Sequence, residues 1–86
     1  MDYMLGSITL FAGSYIPKDF ALCDGSILEI SENTALFSIL GTTYGGDGVN
    51  NFALPLLGNV TMSNRLGVVA GCKYIICTQG VYPMRD

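Results

Sequence analysis

Apolar and polar residues mostly alternate in short runs along this chain, the pattern of β-strands, and one stretch only carries a helical period. Leu5 to Ala12 is rich in β-branched and aromatic residues and reads as a strand. Ile8, Leu10 and Ala12 share one face of it, and Thr9 and Phe11 the other. Gly13-Ser14 ends the run. Ile16 to Asp19 is a loop, because Pro17 fixes its own φ and pushes Ile16 into an extended conformation. Phe20 to Cys23 is a second short strand. Asp24-Gly25 is a strong turn signal, and it predicts that Ser26 to Ile30 returns as the hairpin partner. Ile27 and Glu29 then lie on one face and Leu28 and Ile30 on the other.

The helical stretch is Asn33 to Leu40, where Leu36, Phe37 and Leu40 form an apolar stripe. Ser31 is the expected N-cap, Glu32 favours the dipole of the first turn, and Gly41 ends the helix. Two turns do not persist alone, so this helix must dock on a sheet. If the Phe37 ring is fully buried there, Phe37→Ala should cost about 3–5 kcal/mol. Thr42 to Asn51 holds Gly45-Gly46-Asp47-Gly48, which is loop chemistry. Phe52 to Pro55 is briefly extended, as residues before proline are. Leu56 to Val60 and Leu66 to Ala70 are short apolar runs. Lys73 to Thr78 is a further strand, and Gly80 to Pro83 an extended tail. No internal repeat is visible.

Composition turns this list of elements into a question about partners. The 86 residues are expected to form one domain over 1–86. A domain of that size buries only roughly 60–65% of its unfolded surface, so small domains lean on a disulfide, a metal or a partner subunit. Half of the residues are hydrophobic and 13% are charged, against about 25% charged in an ordinary soluble domain. Some of this apolar surface is expected to meet another subunit. The net charge is −3, and Lys18, Arg65, Lys73 and Arg85 are dispersed, which leaves no footprint for nucleic acid. No apolar run is long enough for membrane insertion, and no signal peptide is visible.

Little of the sequence suggests chemistry. Histidine is absent, so the commonest general base and the commonest metal ligand are missing. Cys23, Cys72 and Cys77 are an odd set for a disulfide framework. Cys72 and Cys77 would face opposite sides of one strand, so all three read as reduced, buried small hydrophobes. Asp24 and Asp47 are turn residues rather than calcium ligands, since no loop spaces several carboxylates as calcium needs. The glycine loop lacks the Lys-Ser/Thr of a phosphate loop. At least one of its glycines should have φ > 0, and Asp47→Asn should change folding little. Glu29 and Glu32 fit capping and solvation better than paired catalysis. Asn59-Val60-Thr61 matches a glycosylation sequon, which short sequences often do by chance. Tyr3, Tyr15, Tyr44 and Tyr82 could stack on a sugar or pack at an interface. No enzyme and no cofactor is expected.

Several segments together resemble the phage tail collar domain family. They are Gly6 to Gly13, Pro17, Phe20-Ala21-Leu22-Cys23-Asp24-Gly25, Asn33 to Gly48 and Phe52-Ala53-Leu54-Pro55. The resemblance covers about residues 5–58. A closing segment at about 74–83, Tyr74 to Pro83, is similar to that of the small stand-alone, microcystin-dependent-protein-like members. The family usually has Trp where Phe20 stands, and an Asp-Leu-Arg-Gly-Arg-like segment where this chain has Leu56-Leu57-Gly58-Asn59-Val60. Only Thr61 to Cys72 stands where the stand-alone relatives carry a longer glycine-rich middle, so the chain looks shortened.

The resemblance implies a non-enzymatic structural or assembly component of a tail fibre, tail tip or tail-like particle, assembled in the bacterial cytoplasm and carried in the virion. It implies self-association as a homotrimer and contact with neighbouring tail or fibre proteins. The alternative is a tip that binds a host cell-surface glycan or receptor. Tyr44, Asp47, Asn50, Asn51 and Tyr82 are the candidate partner or receptor contacts. The expected fold is α+β, a small collar-like arrangement of short strands and hairpins with one two-turn helix.

Overall fold

The computed structural model describes residues 3–58, 60–64 and 67–83. Asn59 of the sequon, Arg65, Leu66 and Arg85 lie outside the described residues. Six strands and one helix follow in the order β1 (Ile8–Phe11), β2 (Phe20–Leu22), β3 (Ile27–Glu29), α1 (Thr34–Leu40), β4 (Asn51–Ala53), β5 (Val60–Asn64) and β6 (Gly67–Cys77). They form an α+β fold with two small antiparallel sheets. In the first, β6 is the central strand, with β1 and β2 on either side and β5 on its earlier half. In the second, β3 pairs with β4.

From Cys72 onward β6 builds the centre, because its apolar residues are buried on both faces of the strand. Tyr74 and Ile76 join the core cluster of Leu5, Cys23, Leu36, Leu40, Phe52 and Leu54. Ile75 and Cys77 point to the opposite face and are also buried. The helix supplies Leu36 and Leu40, and burying each is worth about 1.5–3 kcal/mol. That docking holds a seven-residue helix which would melt in isolation. Gly41 ends it at φ 57°, donating its N–H to the Phe37 carbonyl at 2.7 Å.

Four expectations need correction. The Asp24-Gly25 turn exists, but it does not join a hairpin. Asp24 Oδ1 accepts the Ser26 N–H at 3.0 Å and the Ser26 hydroxyl, which turns the chain through a corner. Before the corner, β2 pairs with β6, placing Ala21 opposite Ile76 and Leu22 opposite Ile75. After it, Leu54 donates to the Ser26 carbonyl at 2.9 Å, and β3 aligns with β4. Burial decides this. β6 offers β2 two fully buried isoleucines, whereas Ile27 and Glu29 of β3 are exposed.

Ser31 is not the N-cap. Ile30 to Glu32 form a 3₁₀ turn, and Asn33 precedes the helix without a side-chain cap. The Asn33 amide instead donates backwards to the Glu29 carbonyl at 3.0 Å. The first strand is also shorter than Leu5 to Ala12. Gly6 at φ 85° breaks it, which frees Leu5 to turn inward and reach the core. In the other direction, the run up to Ala70 and the strand from Lys73 fuse into β6 across Gly71.

Candidate functional site

The loop from Thr42 to Asn51 is held by one carboxylate. Asp47 Oδ1 accepts the backbone N–H groups of Val49 at 2.8 Å, Asn50 at 2.9 Å and Asn51 at 3.1 Å. The Asn51 side-chain oxygen returns a bond from the Asp47 N–H at 2.9 Å. Gly45, Gly46 and Gly48 all have positive φ, at 132°, 95° and 74°. These conformations let the chain fold around the Asp47 side chain. The glycines are therefore conformational, as the sequence indicates.

Asp47, Asn50 and Asn51 come together in this loop, and part of their polar capacity is spent on each other. The Tyr44 side chain is half exposed in the same loop. Tyr82 stands apart from these four in its contacts, with its hydroxyl 2.6 Å from that of Ser38 on α1. That bond ties the closing segment to the helix. Val81 strengthens the tie, donating to the Tyr3 carbonyl at 2.9 Å and accepting from the Leu5 N–H at 2.7 Å.

The sequence reading missed Val49. It follows Gly48 in the loop and is 77% exposed, although the backbone around it is fixed. A lone apolar residue among Gly, Asp and Asn was the available signal. A second missed feature lies on the sheet face turned away from the core cluster. Phe11 of β1, opposite Lys73, and Phe20 of β2, opposite Cys77, share that face with Ile75 of β6. Tyr3 packs edge-on against Phe20 with ring centroids 5.2 Å apart, and Tyr15 against Phe11 at 6.1 Å. Tyr3, Phe11, Phe20 and Ile75, with Thr9, Leu10 and Pro17, border a groove of about 220 Å³.

The electrostatics of the site come from the aspartates. The N–H groups of Val49, Asn50 and Asn51 hold the Asp47 carboxyl below the usual carboxylate range. The Ser26 side chain and backbone do the same for Asp24. Both groups favour their charged form in the folded state. Their contribution is complete above the ordinary carboxylate range and is lost as pH falls through the lowered folded values. Acid melts should show it. The melting temperature of the parent is expected to fall on acidification below about pH 4, and Asp47→Asn should flatten that dependence. Asn keeps an acceptor oxygen but not the charge, so at neutral pH Asp47→Asn should melt below the parent and above Asp47→Ala; this revises the expectation of little change, because three backbone N–H groups converge on the carboxylate. A melting curve of Asp47→Ala identical to that of the parent would remove Asp47 as the organiser of the loop.

The cysteines offer no activated nucleophile. Cys23, Cys72 and Cys77 are free and buried. Burial, with a smaller contribution from Asp24, pushes the Cys23 thiol up, and burial does the same for Cys77. Among the described residues no three His, Cys, Asp or Glu side chains converge as a metal site. No helix among them is long and apolar enough to cross a membrane.

Comparison with known proteins gives one decisive match. The profile of the Phage Tail Collar Domain matches residues 6–61, nearly two thirds of the sequence. The chain belongs to the phage tail collar domain family. The match runs from the Gly6 turn through β1, β2, the β3–β4 sheet and the helix to the beginning of β5, and stops before β6. It includes every residue of the Asp47 loop. A collar domain is a structural part of a phage tail, so the chain is a virion tail component. No curated protein and no solved structure matches significantly.

Proposed function

We propose that this collar protein is a non-enzymatic assembly component of a tail fibre, tail tip or tail-like particle, and that it works as a homotrimer. It acts as one unit over residues 1–86 and is built in the bacterial cytoplasm, a reducing compartment that suits its free cysteines. The family match carries the reading. The surface supports its oligomeric half. Tyr3, Met4, Ile8, Leu10, Tyr15, Ile27, Val49, Leu56 and Val81 are all at least two-fifths exposed. Of these, Ile8 and Leu10 share one face of β1, where a partner subunit could cover them together.

Sedimentation velocity at micromolar concentration tests the proposal. The expected result is a folded species of three times the chain mass. Its interfaces should bury more than roughly 2,000 Å² in total, as obligate ones do. A stable, folded monomer would overturn the oligomeric reading. Electron microscopy of the particle would then place Tyr44 and Asn50. Burial at a subunit contact supports assembly, and exposure on a distal tip supports contact with a host glycan.

A further inference from the structure

The Asp47 loop and the aromatic groove are complementary in chemical character. Around Val49 the backbone is bonded from both sides. The Gly48 N–H donates to the Asn51 carbonyl at 3.0 Å, and the Val49, Asn50 and Asn51 N–H groups converge on Asp47 Oδ1. The loop therefore holds one β-branched apolar side chain out in water on a backbone that is already fixed. Little backbone entropy is then lost on burying it against a partner, and valine has few rotamers to lose. Beside it stands the Asp47 carboxylate, fully charged at neutral pH.

The groove has the opposite character. Tyr3, Phe11, Pro17 and Phe20 line it, and the buried Ile75 is its floor. Tyr15 packs edge-on against Phe11 outside the lining and is 71% exposed. Two of the four basic residues of the chain neighbour residues that line it. Lys73 lies opposite Phe11 in the strand register, and Lys18 follows Pro17, with Asp19 next in the chain. An apolar side chain beside a carboxylate is the visitor that such a groove favours, and the chain itself carries one.

We propose that the Val49 tip of one copy seats in the aromatic groove of the next copy, with Asp47 facing Lys73 and Lys18. The inference rests on the self-association proposed above and assigns it a surface. Tip and groove share no residue, so the contact is head-to-tail. Such a contact closes into a ring where the rotation between copies permits, and at three copies gives the trimer.

Two experiments on the full chain decide this. Val49→Asp puts a charge on the tip without touching the core, and circular dichroism should match the parent. It is expected to weaken association at least tenfold and to shift the sedimenting species toward monomer. The second experiment pairs Val49→Cys with Thr9→Cys, and separately with Pro17→Cys, under mild oxidation. At least one pair should give intermolecular disulfides that stop at the trimer, while each single variant gives none, because the native thiols are buried. If the parent is oligomeric and Val49→Asp sediments with it, the tip serves a different partner and the inference falls, while self-association stands. If Val49→Asp dissociates but neither cysteine pair cross-links, the tip meets another surface and the groove assignment falls. A monomeric parent removes both proposals.

Discussion

Replacing Phe52 with alanine is expected to bring the protein to the edge of unfolding. The ring is completely excluded from solvent, and it packs on Phe37 with centroids 5.4 Å apart. Leu5, Leu36, Leu54 and Ile76 belong to the same cluster. Removing a ring from such a site costs about 3–5 kcal/mol. Small domains sit near the low end of the usual range of about 5–15 kcal/mol, so little stability would remain. Urea melts at one fixed protein concentration would test this, since association makes the midpoint concentration-dependent. Phe37→Ala should cost clearly less than 3–5 kcal/mol, because its ring is only partly buried against the cluster. This revises the sequence-based expectation, which rested on a fully buried Phe37. Equal midpoints for parent and Phe52→Ala would mean that the core is not built around this ring.

Gly46→Ala is expected to have the second-largest effect. At φ 95° a side chain is already strained. In addition, the new methyl group would fall on the Cα of Phe52 and within 2.9 Å of the Asn51 carbonyl oxygen. These are backbone atoms of β4 that cannot swing aside. Strain of about 1–2 kcal/mol and overpacking of about 1–3 kcal/mol together predict a loss of roughly 2–5 kcal/mol. Gly41→Ala is the control, because its φ is positive but no atom lies within 4 Å of the added carbon. It should lose only the strain of a side chain at φ 57° and ψ −145°, about 1–3 kcal/mol. If both variants melted together, contact with β4 would not be what requires glycine at position 46.

The parts of this fold legible in the sequence are those decided by neighbours in the chain. Gly41 ends the helix, Asp24-Gly25 turns the chain, and the glycines around Asp47 adopt positive φ, because each depends on a few local dihedrals. The alternation of Ile27, Leu28, Glu29 and Ile30 was readable for the same reason. What escaped was settled at long range. β2 had an adjacent candidate partner in Ser26 to Ile30, and it chose β6 because Ile75 and Ile76 bury more surface there. The cap at Ser31 looked right locally, but the residues from Ile30 were taken into a turn that anchors on Asn50 and Asn33. The candidate site was half legible. Asp47, Asn50 and Asn51 do meet, yet the groove is assembled from segments separated by most of the chain. No local pattern encodes it.

The position of β6 has a consequence for how the protein comes into being. Ile8 of the first strand pairs with Ile76 of the last, and β2 depends on the same strand. Contacts this distant in sequence raise the contact order and slow folding, since long loops must close before any pairing is rewarded. During translation, β1 and β2 emerge from the ribosome long before the strand that joins them exists. Until then their apolar residues wait unpaired, and several nascent chains on one message expose the same edges to each other. The first sheet therefore cannot close until β6 has been made, and in that interval its unpaired edges are the part of the chain most prone to aggregate.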